Sequence, residues 1–219
     1  MPTTEHRTVT PKVEEETVYI VDDEEPLRRS LKYLLESVKL HVEAFGSAEA
    51  LLESLTPLSH GCIVLDVRMP GMSGPELMDH LTERGFAIPI IFLSAHGDVP
   101  LAVRAMRGGA VDFLQKPPNS QAFLECVRRA LAQGRRRHEQ QAMAAVINER
   151  LATVTARERE VLDLLVAGEN NKAIARILNV GYKTAEAHRA RLMRKMQARN
   201  YPELVHMMLV VRRGNSDPQ

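Results

Sequence analysis

The sequence predicts an α/β chain: a doubly wound, five-stranded parallel sheet, then a linker, then a small unit of four helices. Two observations carry this. Between residue 17 and about 133, short apolar runs alternate five times with helical stretches, the rhythm of βα units. From 151 to 213 the apolar residues fall instead at helical spacing, in four short segments.

The elements follow in order. Strand 18–21 precedes helix 26–36, strand 41–45 helix 48–55, strand 62–66 helix 75–83, and strand 88–94 helix 100–107. Strand 111–114 leads to a helix opening near Ser120, with an apolar stripe at Phe123, Leu124, Val127 and Leu131. The chain then turns polar through 134–141. Either the helix continues as an exposed connector or it breaks at Gly134; residues 142–151 favour helix again. The reading is a linker over 134–150, long and partly helical. A polar tail over 1–16, expected to lack order, and a short C-terminal tail over 214–219 flank the folded parts.

In a doubly wound sheet, ligands bind outside the carboxyl ends of the strands. Five chemistry-bearing residues fall on that edge: Asp22 and Asp23 after the first strand, Asp66 after the third, Ser94 after the fourth and Lys116 after the fifth. Asp66 follows the run Cys62-Ile63-Val64-Leu65 and leads into the loop Arg68-Met69-Pro70-Gly71-Met72-Ser73-Gly74, where a phosphoryl group can approach it. Neighbouring carboxylates repel, and they stay ionised together when a hard divalent cation sits among them; carboxylate oxygens suit Mg²⁺. Lys116 and Ser94 are placed to bind phosphoryl oxygens. The set matches what phosphoryl transfer to Asp66 requires.

Residues 17 to about 133 resemble the receiver domain of bacterial two-component response regulators. The likeness rests on Asp22/Asp23, Asp66, Ser94, the aromatic Phe113 and Lys116-Pro117. It implies a flavodoxin-like sheet, Mg²⁺ held by Asp23, Asp66 and the backbone carbonyl of Arg68 with Asp22 acting through water, and a cis Lys116–Pro117 bond. It also implies a coupled movement of Ser94 and Phe113 that carries the signal to a dimerising surface. Pro118 stands where Phe is more usual, which bears on the loop into the last receiver helix.

Composition sets the bounds. The chain is 44% hydrophobic with 4% aromatic residues and no Trp, so its cores are aliphatic and Met-rich. No run approaches the roughly 18 apolar residues of a membrane span, and the polar start lacks an apolar signal region. A cytoplasmic protein with Cys62 and Cys126 as buried thiols is therefore expected. The small net charge of +1 hides a division: 11 Lys/Arg against 15 Asp/Glu over 17–133, but 12 against 6 over 151–213. The back third suits a polyanion.

There, Thr155 with Glu158 forms a capping box before Val161, Leu162 and Leu165, and Gly168 ends the helix. Residues 171–178 form a second helix, 179–182 a turn, 184–196 a third, and a fourth carries Leu204, Val205, Met208 and Leu209. The middle pair has helix-turn-helix spacing, which offers its second helix to a major groove. Ala185, Leu192 and Met196 face the core, leaving Glu186, Ala187, Ala190, Arg191 and Arg194 outward for bases and backbone. Lys172, Lys183, Thr184, His188, Arg189 and Lys195 are expected to reach phosphates. This part resembles the LuxR-type DNA-binding domain through residues 155–162 and Asn171-Lys172-Ala173-Ile174-Ala175. With the His96-Gly97-Asp98-Val99-Pro100 string, the whole chain resembles a FixJ-type response regulator.

That resemblance implies a phosphorylation-switched transcription factor: a sensor histidine kinase as donor, a homodimer on promoter DNA, and RNA polymerase as a further partner. Two rivals stand beside it. A haloacid-dehalogenase-like phosphatase also uses an aspartyl phosphate, although its nucleophile follows the first strand in an Asp-x-Asp pattern, whereas Asp66 follows the third. A constitutive DNA-binding protein with a non-signalling receiver would show equal DNA affinity with and without a phosphoryl mimic.

Overall fold

The structure is a computed structural model that describes residues 16–95 and 99–214. The His96-Gly97-Asp98 string and the two tails, apart from Glu16 and Gly214, lie outside the described residues. The chain forms two compact units, the first ending at Arg136 and the second starting at Arg137.

In the first unit, strands Thr17–Val21 (β1), His41–Phe45 (β2), Gly61–Asp66 (β3), Ile90–Ser94 (β4) and Asp112–Gln115 (β5) form one parallel sheet in the order β2-β1-β3-β4-β5. Helices Glu25–Ser37 (α1), Ala48–Ser54 (α2), Gly74–Glu83 (α3), Val99–Arg107 (α4) and Ser120–Ala152 (α5) alternate with them. A parallel strand covered on both faces reads as a continuous apolar run, and β1, β3 and β4 are buried along their whole length. Successive side chains then serve opposite layers. Ile63 and Leu65 join Tyr19, Val21 and Phe92 against Leu51, Leu77 and Leu81, while Cys62 and Val64 join Val18, Ile20 and Ile91 against Leu31, Leu35, Phe123 and Val127.

Helix α5 runs unbroken for 33 residues, so Gly134 does not end it. The reason for a glycine is close approach: a Cβ at position 134 would stand 2.3 Å from the carbonyl oxygen of Gly61, where the helix passes the start of β3. Gly61 itself has φ +132, and a Cβ there would lie 1.9 Å from the Thr17 carbonyl oxygen. Arg135 adds an ion pair to Glu16 at 3.2 Å. The last turns of α5 supply Ile147 and Leu151 to the core of the second unit.

That unit holds helices Ala156–Val166 (α6), Asn171–Ile177 (α7), Tyr182–Met196 (α8) and Tyr201–Gly214 (α9). Its core gathers Ile147, Leu151, Val161, Leu162, Leu165, Ile174, Leu192, Met196 and Leu204. Helix α8 starts two residues earlier than the spacing suggested, because Gly181 with φ −64 and ψ 147 serves as its N-cap. The Thr155–Glu158 capping box is formed in both directions. On α9, Leu204 is buried and Leu209 is exposed.

Candidate functional site

The parallel register aligns the strand ends of the first unit: Val21 pairs with Leu65, Asp66 with Leu93, and Ser94 with Gln115. The residues just beyond those ends therefore meet. Asp22, Asp23 and Asp66 each bring a carboxylate oxygen within 4.8 Å of the others. Asp22 and Asp66 are buried, whereas Asp23 is exposed. A cavity of about 170 Å³ opens over them, lined by Asp23, Glu24, Asp66, Arg68, Ser94, Ala95 and Lys116.

Backbone contacts fix this edge. Lys116 donates its N–H to the Ser94 carbonyl at 2.8 Å, Asp22 donates to the Phe45 carbonyl at 3.2 Å, and the Lys116–Pro117 peptide is cis. Gly74 closes the loop after β3 by donating to the Val67 carbonyl at 3.1 Å. A Cβ on Gly74 would come to 2.3 Å from the Asp66 carbonyl oxygen, so only glycine lets α3 start this close to Asp66. The Ser73–Glu76 capping box then sets the helix direction.

The Lys116 ammonium donates to Asp66 Oδ2 at 2.7 Å and to Glu24 Oε1 at 3.1 Å. It also lies 2.8 Å from Asp22 Oδ2, off the direction of a hydrogen bond, and that oxygen is otherwise unsatisfied. Asp66 Oδ1 accepts the Arg68 N–H at 3.2 Å. Burial opposes the charge on Lys116, but the carboxylates of Asp22, Asp66 and Glu24 outweigh it and hold the amine protonated well above its ordinary range. Burial pushes the Asp66 carboxyl upward; Lys116 and the Arg68 N–H pull the other way, and Asp22 adds repulsion. The directions agree: one cation among several acids gains from each of them, while each acid also feels the other acids. A cluster with more anions than cations, one buried oxygen unsatisfied and hard oxygen donors throughout fits a divalent ion such as Mg²⁺.

Ser94 is buried at the cavity wall, and Phe113, half-buried beside Phe92 in the register, packs on the same core layer. Arg68 lines the cavity. Glu24 has no part in the sequence reading; its signal is its place as the third acid in Asp22-Asp23-Glu24. Arg28 was missed as well: its Nη1 donates to the Asp22 carbonyl at 2.5 Å. Cys62 and Cys126 are buried free thiols, and burial pushes Cys126 up to about 12. They are inert packing groups.

In the second unit, Ala185, Leu192 and Met196 are buried on α8, and Glu186, Ala190, Arg191 and Arg194 are exposed. Lys172 on α7 and Lys183 and Thr184 at the start of α8 are exposed too. The other expected contacts are placed differently. Ala187 is half-buried, Arg189 donates to Asn171 Oδ1 at 2.9 Å, and His188 has its Nδ1 buried without a partner. Lys195 needs a correction: its ammonium bonds Glu158 Oε2 at 2.6 Å and the Thr153 carbonyl at 2.8 Å, so it faces a buried acid and not solvent phosphates. Tyr182, 48% exposed as the first residue of α8, was missed; the N-terminus it opens carries no side-chain cap.

Two family profiles match. The response regulator receiver domain covers residues 18–128, and the bacterial regulatory proteins of the luxR family cover 152–208. The transcriptional regulatory protein TdiR of Thauera aromatica is 45% identical over 91% of this chain and 87% of its own length. The transcriptional regulatory protein FixJ of Azorhizobium caulinodans is 45% identical over 88% of this chain and 92% of its own. Among solved structures, the response regulator StyR superposes with a TM-score of 0.75 at 40% identity, over 89% of this chain and 98% of that one. No helix among the described residues is long and apolar enough to cross a membrane.

Proposed function

Because the chain belongs to the response regulators that join a receiver to a LuxR-type DNA-binding domain, we propose that Asp66 is its phosphoacceptor and that α8 reads its promoter. The chain is a transcriptional regulator of a two-component system and not an enzyme, so the phosphatase alternative is set aside. The observation that carries the assignment of Asp66 is the Lys116 ammonium at 2.7 Å from its Oδ2, at the wall of a cavity shared with Ser94.

In this reading an Asp66 carboxylate oxygen attacks the phosphorus of a phosphohistidine on a sensor kinase. The new O–P bond forms as the N–P bond breaks, and the imidazole leaves. Lys116 keeps its charge throughout and moves its donors from Asp66 to the phosphoryl oxygens. The Ser94 hydroxyl donates to another oxygen, and the aromatic ring of Phe113 follows that shift. Asp23, Asp66 and the Arg68 carbonyl, with Asp22 acting through water, would hold Mg²⁺, which would neutralise acid repulsion and the charge of the transferring group. The receiver spans 17–133, the linker 134–150 and the DNA-binding unit 151–213. Phosphorylation drives formation of a homodimer whose two α8 helices read half-sites, and RNA polymerase is the partner at the promoter. On the DNA side, Lys172, Lys183, Thr184, Arg191 and Arg194 contact phosphates while Glu186, Ala187 and Ala190 face bases. The exposure of most of these residues supports that division.

The test is labelling by acetyl phosphate or a phosphorylated kinase. Asp66→Asn is expected to abolish labelling with the fold intact, and Asp23→Asn to lower it with partial rescue by raised Mg²⁺. A variant Asp66→Asn that labels like the wild type removes the assignment.

A further inference from the structure

The C-terminal end of α8 is held from two directions within its own unit. Arg150, near the end of α5, donates through Nη1 to the Met196 carbonyl at 3.2 Å. That carbonyl is among those a helix end leaves without an intrahelical partner. Lys195 reaches the opposite way, to the Thr153 carbonyl at 2.8 Å just beyond α5 and to Glu158 Oε2 at 2.6 Å in the first turn of α6. The Glu158 side chain is 3% exposed, and the same oxygen accepts the Thr155 N–H at 2.9 Å and the Thr155 hydroxyl at 3.0 Å. Pulling Lys195 away would leave a buried carboxylate without its cation, which is costly. A phosphate contact needs the reverse, a cation that leaves the protein surface at little cost.

We propose that Arg150 and Lys195 are positioning residues for DNA recognition. They fix the end of α8 against the connection between α5 and α6, and so set the angle at which Glu186, Ala190, Arg191 and Arg194 meet the groove. Neither touches DNA. A side chain held within a fraction of an ångström by its supporting contacts gives up discrimination when those contacts go. This inference rests on the reading of α8 as the DNA-facing helix.

The experiment uses the full chain, a duplex selected by the wild type from a randomised library, and a random duplex of equal length. Affinity for both is measured across a salt series. Arg150→Ala is expected to lower the preference for the selected duplex about tenfold, the discrimination one base contact carries, with the salt slope unchanged. Lys195→Met is expected to do the same, and the double variant with Glu158→Gln to lose no more than the single, because Lys195 acts through Glu158. A far-UV melt reports whether each variant is folded; should Lys195→Met unfold its unit, Arg150→Ala decides alone, since it leaves the buried carboxylate paired. A salt slope lower by about one unit in Arg150→Ala or Lys195→Met, or unchanged preference in Arg150→Ala, overturns the inference. Arg191→Ala separates the two levels. If it lowers the slope by about one while Arg150→Ala fails as above, the positioning role alone falls; if Arg191→Ala changes nothing, the reading of α8 falls and this inference with it.

Discussion

Replacing Lys116 by Met removes a cation that bridges three carboxylates, and the consequence for stability can be worked from the distances. At an effective dielectric of about 20, the contacts at 2.7 Å to Asp66 and 2.8 Å to Asp22 are each worth about 6 kcal/mol of attraction before desolvation. Desolvation takes most of that back, since the Lys116 side chain is 6% exposed and that of Asp22 0%. Removing one partner of such a pair typically costs 3–5 kcal/mol, because the acid left behind stays buried. The cavity admits water to Asp66 and Asp23, which favours the low end, about 3 kcal/mol. For a unit of roughly 120 ordered residues this lowers the melting temperature by roughly 12 °C. Mg²⁺ changes the comparison. The variant's cluster is more negative by one charge, so it binds the ion more tightly, and a concentration of about 100 times Kd restores about 2.7 kcal/mol. Calorimetry of the full chain with and without Mg²⁺ reads both effects. A variant that melts within about 2 °C of the wild type without metal, or gains no more from Mg²⁺ than the wild type does, refutes the reasoning.

Gly134→Ala would gain about 1 kcal/mol of helix propensity, but its Cβ meets a backbone carbonyl at 2.3 Å; overpacking wins, and a net loss of about 1–2 kcal/mol is expected in urea unfolding. Glu158 is held down to about 2, chiefly by Lys195, from an ordinary 4.5, so its contribution to stability is complete above pH 4.5 and lost as pH falls towards 2. The stability gap between wild type and Glu158→Gln should therefore close over that window in acid titration followed by circular dichroism. Lys172→Ala should weaken binding to all duplexes alike and lower the salt slope by about one, whereas Glu186→Ala should relax preference at one base pair by roughly 1–3 kcal/mol with the slope unchanged. If Glu186→Ala weakens every duplex equally, the glutamate orients a neighbouring arginine instead. Beryllofluoride should shift the chain from monomer towards dimer in sedimentation, and an unchanged mass would count against dimerisation as the switch.

The sheet was legible because each strand is a short apolar run followed by a punctuated loop, and because a parallel arrangement places the candidate site residues at the same end of their strands. Asp22, Asp66, Ser94 and Lys116 needed only that rule to be brought together. In the sequence Gly134 stands equally for a helix break and a continued helix, because glycine's two uses, ending a helix and permitting close approach, look alike in one dimension; what tells them apart is the Gly61 carbonyl, 73 positions earlier in the chain. The second unit's basic residues posed the same difficulty. Lys172 and Lys195 are both lysines on helix-turn-helix segments, but one is exposed and the other faces Glu158, whose burial follows from the capping box that the sequence did display.

Charge balance separates the two lysines that sit on buried acids. Lys195 meets a single carboxylate, that of Glu158, and donates also to the Thr153 carbonyl; the pair is neutral, so its charge draws in no further ion. Such a pair holds two helices in one arrangement. Lys116 meets Asp22, Glu24 and Asp66, with Asp23 in the same cluster, so the acids around this ammonium outnumber it. That deficit is tolerable only because Glu24 and Asp23 reach water and because a cavity leaves room for a counter-ion. It also means that the ammonium has no unique partner to lose: under the proposed phosphorylation, a dianionic phosphoryl group on Asp66 would replace one of its contacts with a stronger one, at no cost in buried unpaired charge. A buried lysine can therefore serve as a movable contact where acids outnumber it, and as a fixed one where they do not.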